Sequence, residues 1–299
     1  MKQALTFFLL TGLIYPTLTQ NNISEIYQDG ILNGQFESKY ANGKSKAEGA
    51  YRNNLKIGKW TIWDSLGNVI MTRQYKEGLA ISVRTFQKGK KGVYDAQHPP
   101  MNRNSDGYFP FVSVDPNSVV YSKRLWREIK PTELNAPLFL DSKVIDELIR
   151  LIEKEMITGY SAESDEFKVI LPPNKFNVFS GKKLVGYKIK EDWFFDKIRN
   201  TGDVRVIGIC PIVEIEEGVV REAFWVYYPE IRKYLAELKV DDFFYFHQFN
   251  STIIRESMIH GQYIKEYIKP EAVFDEVLRI ESALVETEID FWIYYVMKS

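Results

Sequence analysis

The chain has 299 residues, with 39 Lys plus Arg against 40 Asp plus Glu for a formal net charge of −1, 45% hydrophobic residues and one cysteine. That composition excludes a disordered chain, a charge-driven grip on nucleic acid or an anionic membrane, an internal disulfide, and a zinc ribbon or CxxC redox pair. The aromatic load is 14%, and Trp and Tyr suit surfaces that end partly buried against a partner.

Lys2 followed by the apolar stretch Ala4 to Tyr15 reads as a signal peptide over residues 1–20, too short to span a bilayer, with small Thr17 and Thr19 ahead of a cleavage site near Thr19 or Gln20. Export to the space outside the cytoplasm is the expectation. No cysteine lies near that site, so the chain is not expected to carry an N-terminal lipid; Cys210 lies in the apolar run Val206 to Val213 and reads as a small buried hydrophobe.

From Gly34 to about Phe86 the sequence repeats itself. Gly34 and Phe36 recur as Gly58 and Trp60, and Tyr51 recurs as Tyr75, all at a spacing of 24; Asn42-Gly43 has an echo in Gly67-Asn68. Each unit reads as a strand, a Gly or Asn-Gly turn and a second strand with an inward aromatic. One such hairpin cannot bury its aromatic face alone, so residues 21–87 are expected to form a small antiparallel meander. The string from Gly34 to Gly78 resembles the MORN-like repeats of the YwqK antitoxin-type family, which implies a binding or spacer module. Residues 88–115, with Lys-Gly-Lys-Lys-Gly, His98-Pro99-Pro100, Asn102, Asn104 and Gly107, read as a linker.

Residues 116–299 read as mixed α and β. Val144, Ile145, Leu148, Leu151, Ile152 and Met156 recur at helical spacing, predicting an amphipathic helix over Ser142 to Ile157, with Asp141 or Ser142 as N-cap and Gly159 as a stop. A strand is expected over Phe167 to Leu171, ended by Pro172-Pro173, and a short helix over Asp192 to Arg199. The runs Val204 to Ile215 and Val219 to Tyr228, split by Glu216-Glu217-Gly218, predict a β-hairpin. Pro229 suits the first position of a helix to about Leu238. Further helices are expected over Asp241 to Met258 and Glu271 to Val296, the last apolar around most of its circumference at Phe291 to Tyr295 and therefore buried at its end. The fold class is α+β: a small meander, then a mixed domain with a hairpin and C-terminal helices.

Chemistry is sparse. His98, His247 and His260 lack a His or Cys at ligand spacing, and no nucleophile elbow, phosphate loop or dinucleotide fingerprint occurs. Glu153/Glu155 lie on different helix faces and Glu216/Glu217 in a turn, so neither pair reads as a general acid/base couple. No catalytic residue, cofactor or metal is expected. Rings occur on both sides of Trp193-Phe194-Phe195, Phe224 to Tyr228 and Phe243 to Phe246, which means burial on both faces or a face kept for a partner. Aromatics and Arg dominate binding energy at interfaces, which makes Trp126, Trp193, Trp225, Tyr228 and Arg232 the candidate partner contacts.

Six blocks in order, YSKRLWREI (Tyr121 to Ile129), YKIKEDWFFDK (Tyr187 to Lys197), DVRVIGICPIVEI (Asp203 to Ile215), FWVYYPEIRKYLA (Phe224 to Ala236), HQFNSTIIRES (His247 to Ser257) and the closing helix through Trp292, resemble the GldN/PorN family of the type IX secretion and gliding-motility machinery. The resemblance implies a non-enzymatic periplasmic structural subunit at the inner face of the outer membrane, forming a large ring with an outer-membrane lipoprotein and meeting the periplasmic part of an inner-membrane motor protein. Family members usually enter this region through a polar low-complexity segment, whereas a repeat module precedes it here. The rival expectation is a stand-alone binding module, antitoxin- or immunity-like, acting through the repeats; a hydrolase with a scattered active site is a third.

Overall fold

The computed structural model describes residues 20–28, 30–87, 90–94, 102–139, 143–258, 266–267 and 273–298. The expected signal segment, apart from its last residue, falls outside that set, as do His98, His260, Asp141 and Ser142.

The N-terminal region runs β1 (Gln20–Asn21), α1 (Ile23–Ile26), β2 (Tyr27–Gln28), β3 (Ile31–Leu32), β4 (Gly34–Lys39), β5 (Ser45–Arg52), β6 (Leu55–Trp63), β7 (Val69–Lys76), β8 (Leu79–Gln87) and β9 (Lys90–Tyr94). β2 and β3 pair with each other, and the others form one antiparallel sheet in the order β1-β4-β5-β6-β7-β8-β9. The 24-residue repeat is visible as a repeat of register: Gly34 pairs with Tyr51, and Gly58 with Tyr75. Because side chains alternate across a strand, this places Phe36, Tyr51, Trp60 and Tyr75 on one face, where all four are buried. Trp60 stacks on Phe36 at 5.4 Å and meets Tyr51 edge-on at 5.2 Å. The β5–β6 turn takes Asn53 and Asn54 at φ 49° and 66°, and the β7–β8 turn takes Glu77 and Gly78 at 51° and 80°. Two successive positive φ values give the turn twist that tight hairpins need.

The second region runs β10 (Val119–Ile129), α2 (Ala136–Phe139), α3 (Lys143–Glu153), β11 (Gly159–Ser161), β12 (Lys183–Asp196), β13 (Thr201–Glu216), β14 (Val219–Glu222), β15 (Phe224–Tyr227), α4 (Tyr228–Glu237), α5 (Asp241–Tyr245), β16 (Thr252–Met258), β17 (Glu266–Tyr267) and α6 (Val273–Lys298). Its sheet has the order β11-β15-β13-β12-β10-β16-β17, with β14 also paired to β13. On the inner face of this sheet, Tyr187, Ile189, Ile209 and Val213 pack with α3 and α4 in one core. Leu125, Trp193 and Phe195, farther along the same face, pack with α6 in another. That second core also contains Phe36, Tyr51, Trp60 and Tyr75, so α6 lies between the two sheets and serves both.

Several expected elements differ. Asp192 to Arg199 is not a helix: β12 runs through Asp196, with Trp193 and Phe195 facing α6 and Lys190, Asp192 and Phe194 on the other face. Two neighbours, β10 and β13, pair with this segment and impose a period of two on its rings. The helix expected over Asp241 to Met258 ends at Tyr245; the β-branched run Thr252-Ile253-Ile254 pairs with β10 instead. Phe167 to Leu171 is a loop held by a single bridge between Ile170 and Tyr160. α3 stops at Glu153 rather than at Ile157. Glu155 at φ 55°, with Met156 N–H donating to Leu151 O and Glu155 N–H to Ile152 O, closes the helix as a Schellman motif. Gly159 has a different reason to be glycine, since a Cβ there would stand 2.4 Å from the Phe176 ring. Lys90–Tyr94, inside the expected linker, adds a strand to the meander by pairing with β8.

Candidate functional site

The seam between the two regions is built on acidic side chains of α6. Lys46 of β5, 2% exposed, bonds Glu286 Oε2 and Asp290 Oδ1, each at 2.7 Å. Lys56 of β6 bonds Glu288 Oε2 at 2.6 Å, while Glu288 Oε1 accepts from Gly202 N–H at 3.1 Å. Arg73 of β7 lies over the Trp292 ring at 4.5 Å and donates to Asn200 O at 2.7 Å. The Asn54 amide donates to His247 O and Phe249 O, both at 3.2 Å. A buried charge is tolerated only when paired and hydrogen-bonded, and the Lys46 and Lys56 pairs meet that condition with one partner in each region.

Deeper in the seam, Arg127 of β10 donates to Glu191 Oε1 at 2.6 Å and to Glu281 Oε1 of α6 at 2.7 Å. Burial opposes the Arg127 charge, but these two carboxylates outweigh it and hold the guanidinium above its ordinary range. His247 Nε2 stands 3.4 Å from Glu191 Oε2 without hydrogen-bond geometry. Burial pushes the His247 pKa down, against the pull of Glu191. A cleft of about 240 Å³ opens beside this cluster, lined among others by Lys56, Trp193, Arg199, Tyr245, His247 and Glu288.

The five candidate contacts are all buried within the chain. Tyr228 donates to Asp241 Oδ1 at 2.7 Å, and burial beside that carboxylate pushes its hydroxyl pKa well up. Arg232 bonds the same carboxylate at 2.9 Å, donates to Phe109 O at 2.7 Å, and lies over the rings of Tyr108 and Phe111 at 4.4 and 4.5 Å. It thereby holds part of the expected linker onto the domain, together with Arg103, which bonds Asp242. Trp193 meets Tyr121 edge-on at 5.5 Å beside α6. Trp126 and Trp225 lie on the opposite, outer face of the sheet and pack with Cys210, whose thiol pKa burial pushes up. Among the described residues, the hydrophobic side chains packed there come from the sheet and from a loop. The outer face is crossed by the loop from Ala162 to Ile170, whose Phe167 packs against Trp225.

Residue type alone brings Tyr228 and Arg232 together on α4, and the fold supplies Asp241 as their shared partner. The seam cations Lys46, Lys56 and Arg127 carry no sequence signal of their own. Glu281 and Glu288, set among the apolar positions Val277, Ile280, Leu284 and Ile289 of α6, are the readable sign that this helix meets buried cations. Glu216 and Glu217 are exposed, as their turn position predicts. Among the described residues, no three His, Cys, Asp or Glu side chains are grouped to hold a metal ion, and no helix is long and apolar enough to cross a membrane.

No curated protein matches the chain. The family model described as gliding motility associated protein GldN matches residues 114–293, which begins just before β10, ends within α6, and takes in the outer sheet face and the α6 half of the seam. With that match extending over more than half of its length, the chain belongs to the GldN family of gliding-motility-associated proteins.

Proposed function

We propose that this chain is a non-enzymatic periplasmic structural subunit of a type IX secretion and gliding-motility complex, lying at the inner face of the outer membrane. In this reading it assembles as a ring with an outer-membrane lipoprotein and meets the periplasmic part of an inner-membrane motor protein. The observation that carries the reading is the family match over 114–293. A ring demands two different self-contact surfaces on each copy, because head-to-tail contacts close only at the right rotation per subunit. Purified with its candidate outer-membrane lipoprotein, the chain should elute as a very large assembly; a monodisperse monomer that leaves the lipoprotein in the flow-through overturns the proposal.

The repeats, in this reading, belong to the same subunit rather than to a free antitoxin-like module. Their aromatic face, Phe36, Tyr51, Trp60 and Tyr75, is covered by α6 and is not available to a toxin-like partner. What the meander adds to the complex is then its solvent-facing side and its edges.

A further inference from the structure

The outer sheet face holds a socket that the chain fills with its own side chain. Phe167 is ringed by Tyr160, Trp225 and Tyr227, with centroids 5.4, 6.1 and 5.8 Å away and all three nearly perpendicular to it. Beneath it is Gly208 of β13, where a Cβ would stand 2.3 Å from Phe167 Cζ; only glycine leaves room for a ring to rest on the sheet. Phe167 itself has φ 55°, a left-handed conformation that a bulky side chain adopts only when its surroundings force it, and such outliers gather at ligand clamps and switch regions.

The loop is latched by one acid. Asp165 O accepts from buried Lys190 Nζ at 2.5 Å, and its carboxylate stands 3.3 Å from that ammonium and 3.4 Å from Arg255 Nη1. Lys190 also faces the Phe167 ring at 5.3 Å, and Arg255 lies over Trp126 at 3.9 Å. If the loop lifts, Lys190 and the aromatic box lose an acid and a ring together. An occupant that replaces the loop must therefore bring both, at the spacing of Asp165-Glu166-Phe167. The loop is fixed to the sheet at its ends, where Ser161 N–H donates to Val169 O and Leu171 N–H to Gly159 O, while Glu163, Glu166 and Lys168 between them are exposed.

We propose that residues 162–170 form a displaceable strap over a docking socket for an extended partner segment carrying an acidic residue two positions before an aromatic one. The socket is formed by Gly208, Tyr160, Trp225 and Tyr227, with Lys190 and Arg255 at its rim. Charge complementarity selects this occupant, since the rim presents the buried Lys190 ammonium, whose paired carboxylate, Asp165, leaves with the strap. The inference stands on geometry of the outer face and is independent of the ring reading.

The probe is a fluorescein-labelled peptide with the strap's own sequence, AESDEFKVI, titrated into the full chain. Wild type, its socket already filled, should bind at least tenfold more weakly than Phe167→Ala, and a peptide with its Phe changed to Ala should bind neither. Asp165→Asn keeps the plug and loosens only the latch, so it should fold like wild type and bind the peptide more tightly than wild type does. Equal affinity of wild type and folded Phe167→Ala overturns the proposal; should Phe167→Ala not fold, equal affinity of wild type and Asp165→Asn does so. A concentration-dependent dimer of wild type that Phe167→Ala abolishes assigns the socket to the strap of a second copy, and overturns the partner reading in that form.

Discussion

Trp60 of the repeat sheet and Trp292 of the last helix meet edge to face, their ring centroids 6.2 Å apart and their planes at 86°. Both are fully buried, and the contact joins residues at the two ends of the chain into one core. The two regions are therefore expected to unfold together. Trp292→Ala should cost about 3–5 kcal/mol, the usual range for removing a large buried aromatic. In urea, circular dichroism and tryptophan fluorescence should give coincident midpoints for wild type, and midpoints that shift together for the variant. A biphasic wild-type transition would show that the regions are independent. Deleting residues 20–87 should yield an aggregating product, since it bares the face of α6 that the meander covers.

The Lys46 pairs predict a strong asymmetry between single and double substitutions. Lys46→Met leaves Glu286 facing the core without its cation and should cost about 3–5 kcal/mol, whereas Lys46→Met combined with Glu286→Leu should recover most of that loss. A double-mutant cycle by chemical denaturation reads the coupling. Additive losses would mean that the ion pair contributes little to holding α6 against the meander.

Acidification should weaken the seam. The folded-state pKa of His247 lies below the unfolded value of about 6.5, because burial disfavours its charged form. The unfolded chain thus takes up a proton at His247 before the folded chain does, so this contribution to stability is intact above about pH 6.5 and is lost as pH falls from there toward the folded value. Glu191, Glu281 and Asp203 face the imidazole and oppose the shift, while Arg127 reinforces it. Unfolding free energies measured between pH 8 and pH 5 should fall toward acid, and His247→Gln should flatten that slope.

Two glycines of the meander should respond to alanine for different reasons. A Cβ on Gly49 would stand 2.1 Å from the Trp60 ring of the neighbouring strand, so Gly49→Ala must displace a buried indole and should cost about 1–3 kcal/mol or more. Gly43 has open space around it but φ 81°, and Gly43→Ala should cost about 1–2 kcal/mol through backbone strain alone. Thermal melts rank the two. Near-ultraviolet dichroism should change for Gly49→Ala only, because only that substitution moves an aromatic ring.

Arg232 tests whether a buried candidate contact acts through the fold. Arg232→Lys loses the fork that spans Asp241 and the Phe109 carbonyl and should cost about 2–4 kcal/mol. Proteolysis should then cut sooner between Arg103 and Pro110, the segment that Arg232 holds down. Unchanged stability with weakened co-purification of the lipoprotein would instead return Arg232 to a direct contact role.

Periodicity, turn chemistry and family likeness are local properties, and the sequence by itself determined what depends on them. The repeat at a spacing of 24 set the meander and the shared register of Gly34–Tyr51 and Gly58–Tyr75. The apolar spacing of α3, the proline at the start of α4 and the long apolar α6 each marked a helix that is present. Six ordered blocks pointed to the family that the match over 114–293 establishes. Only the tertiary structure decided the rest. Trp193-Phe194-Phe195 is ambiguous between helix and strand until β10 and β13 pair on either side of it, and the run from Thr252 becomes a strand because β10 offers it an edge. Residue type alone marks the five candidate contacts, but the same rings and guanidinium that suit an interface suit a core, and burial is fixed by what packs above them. The separation into module, linker and domain followed chain order, whereas the union of meander and α6 depends on contacts between residues more than two hundred positions apart, such as Lys46 with Glu286, which no local pattern encodes.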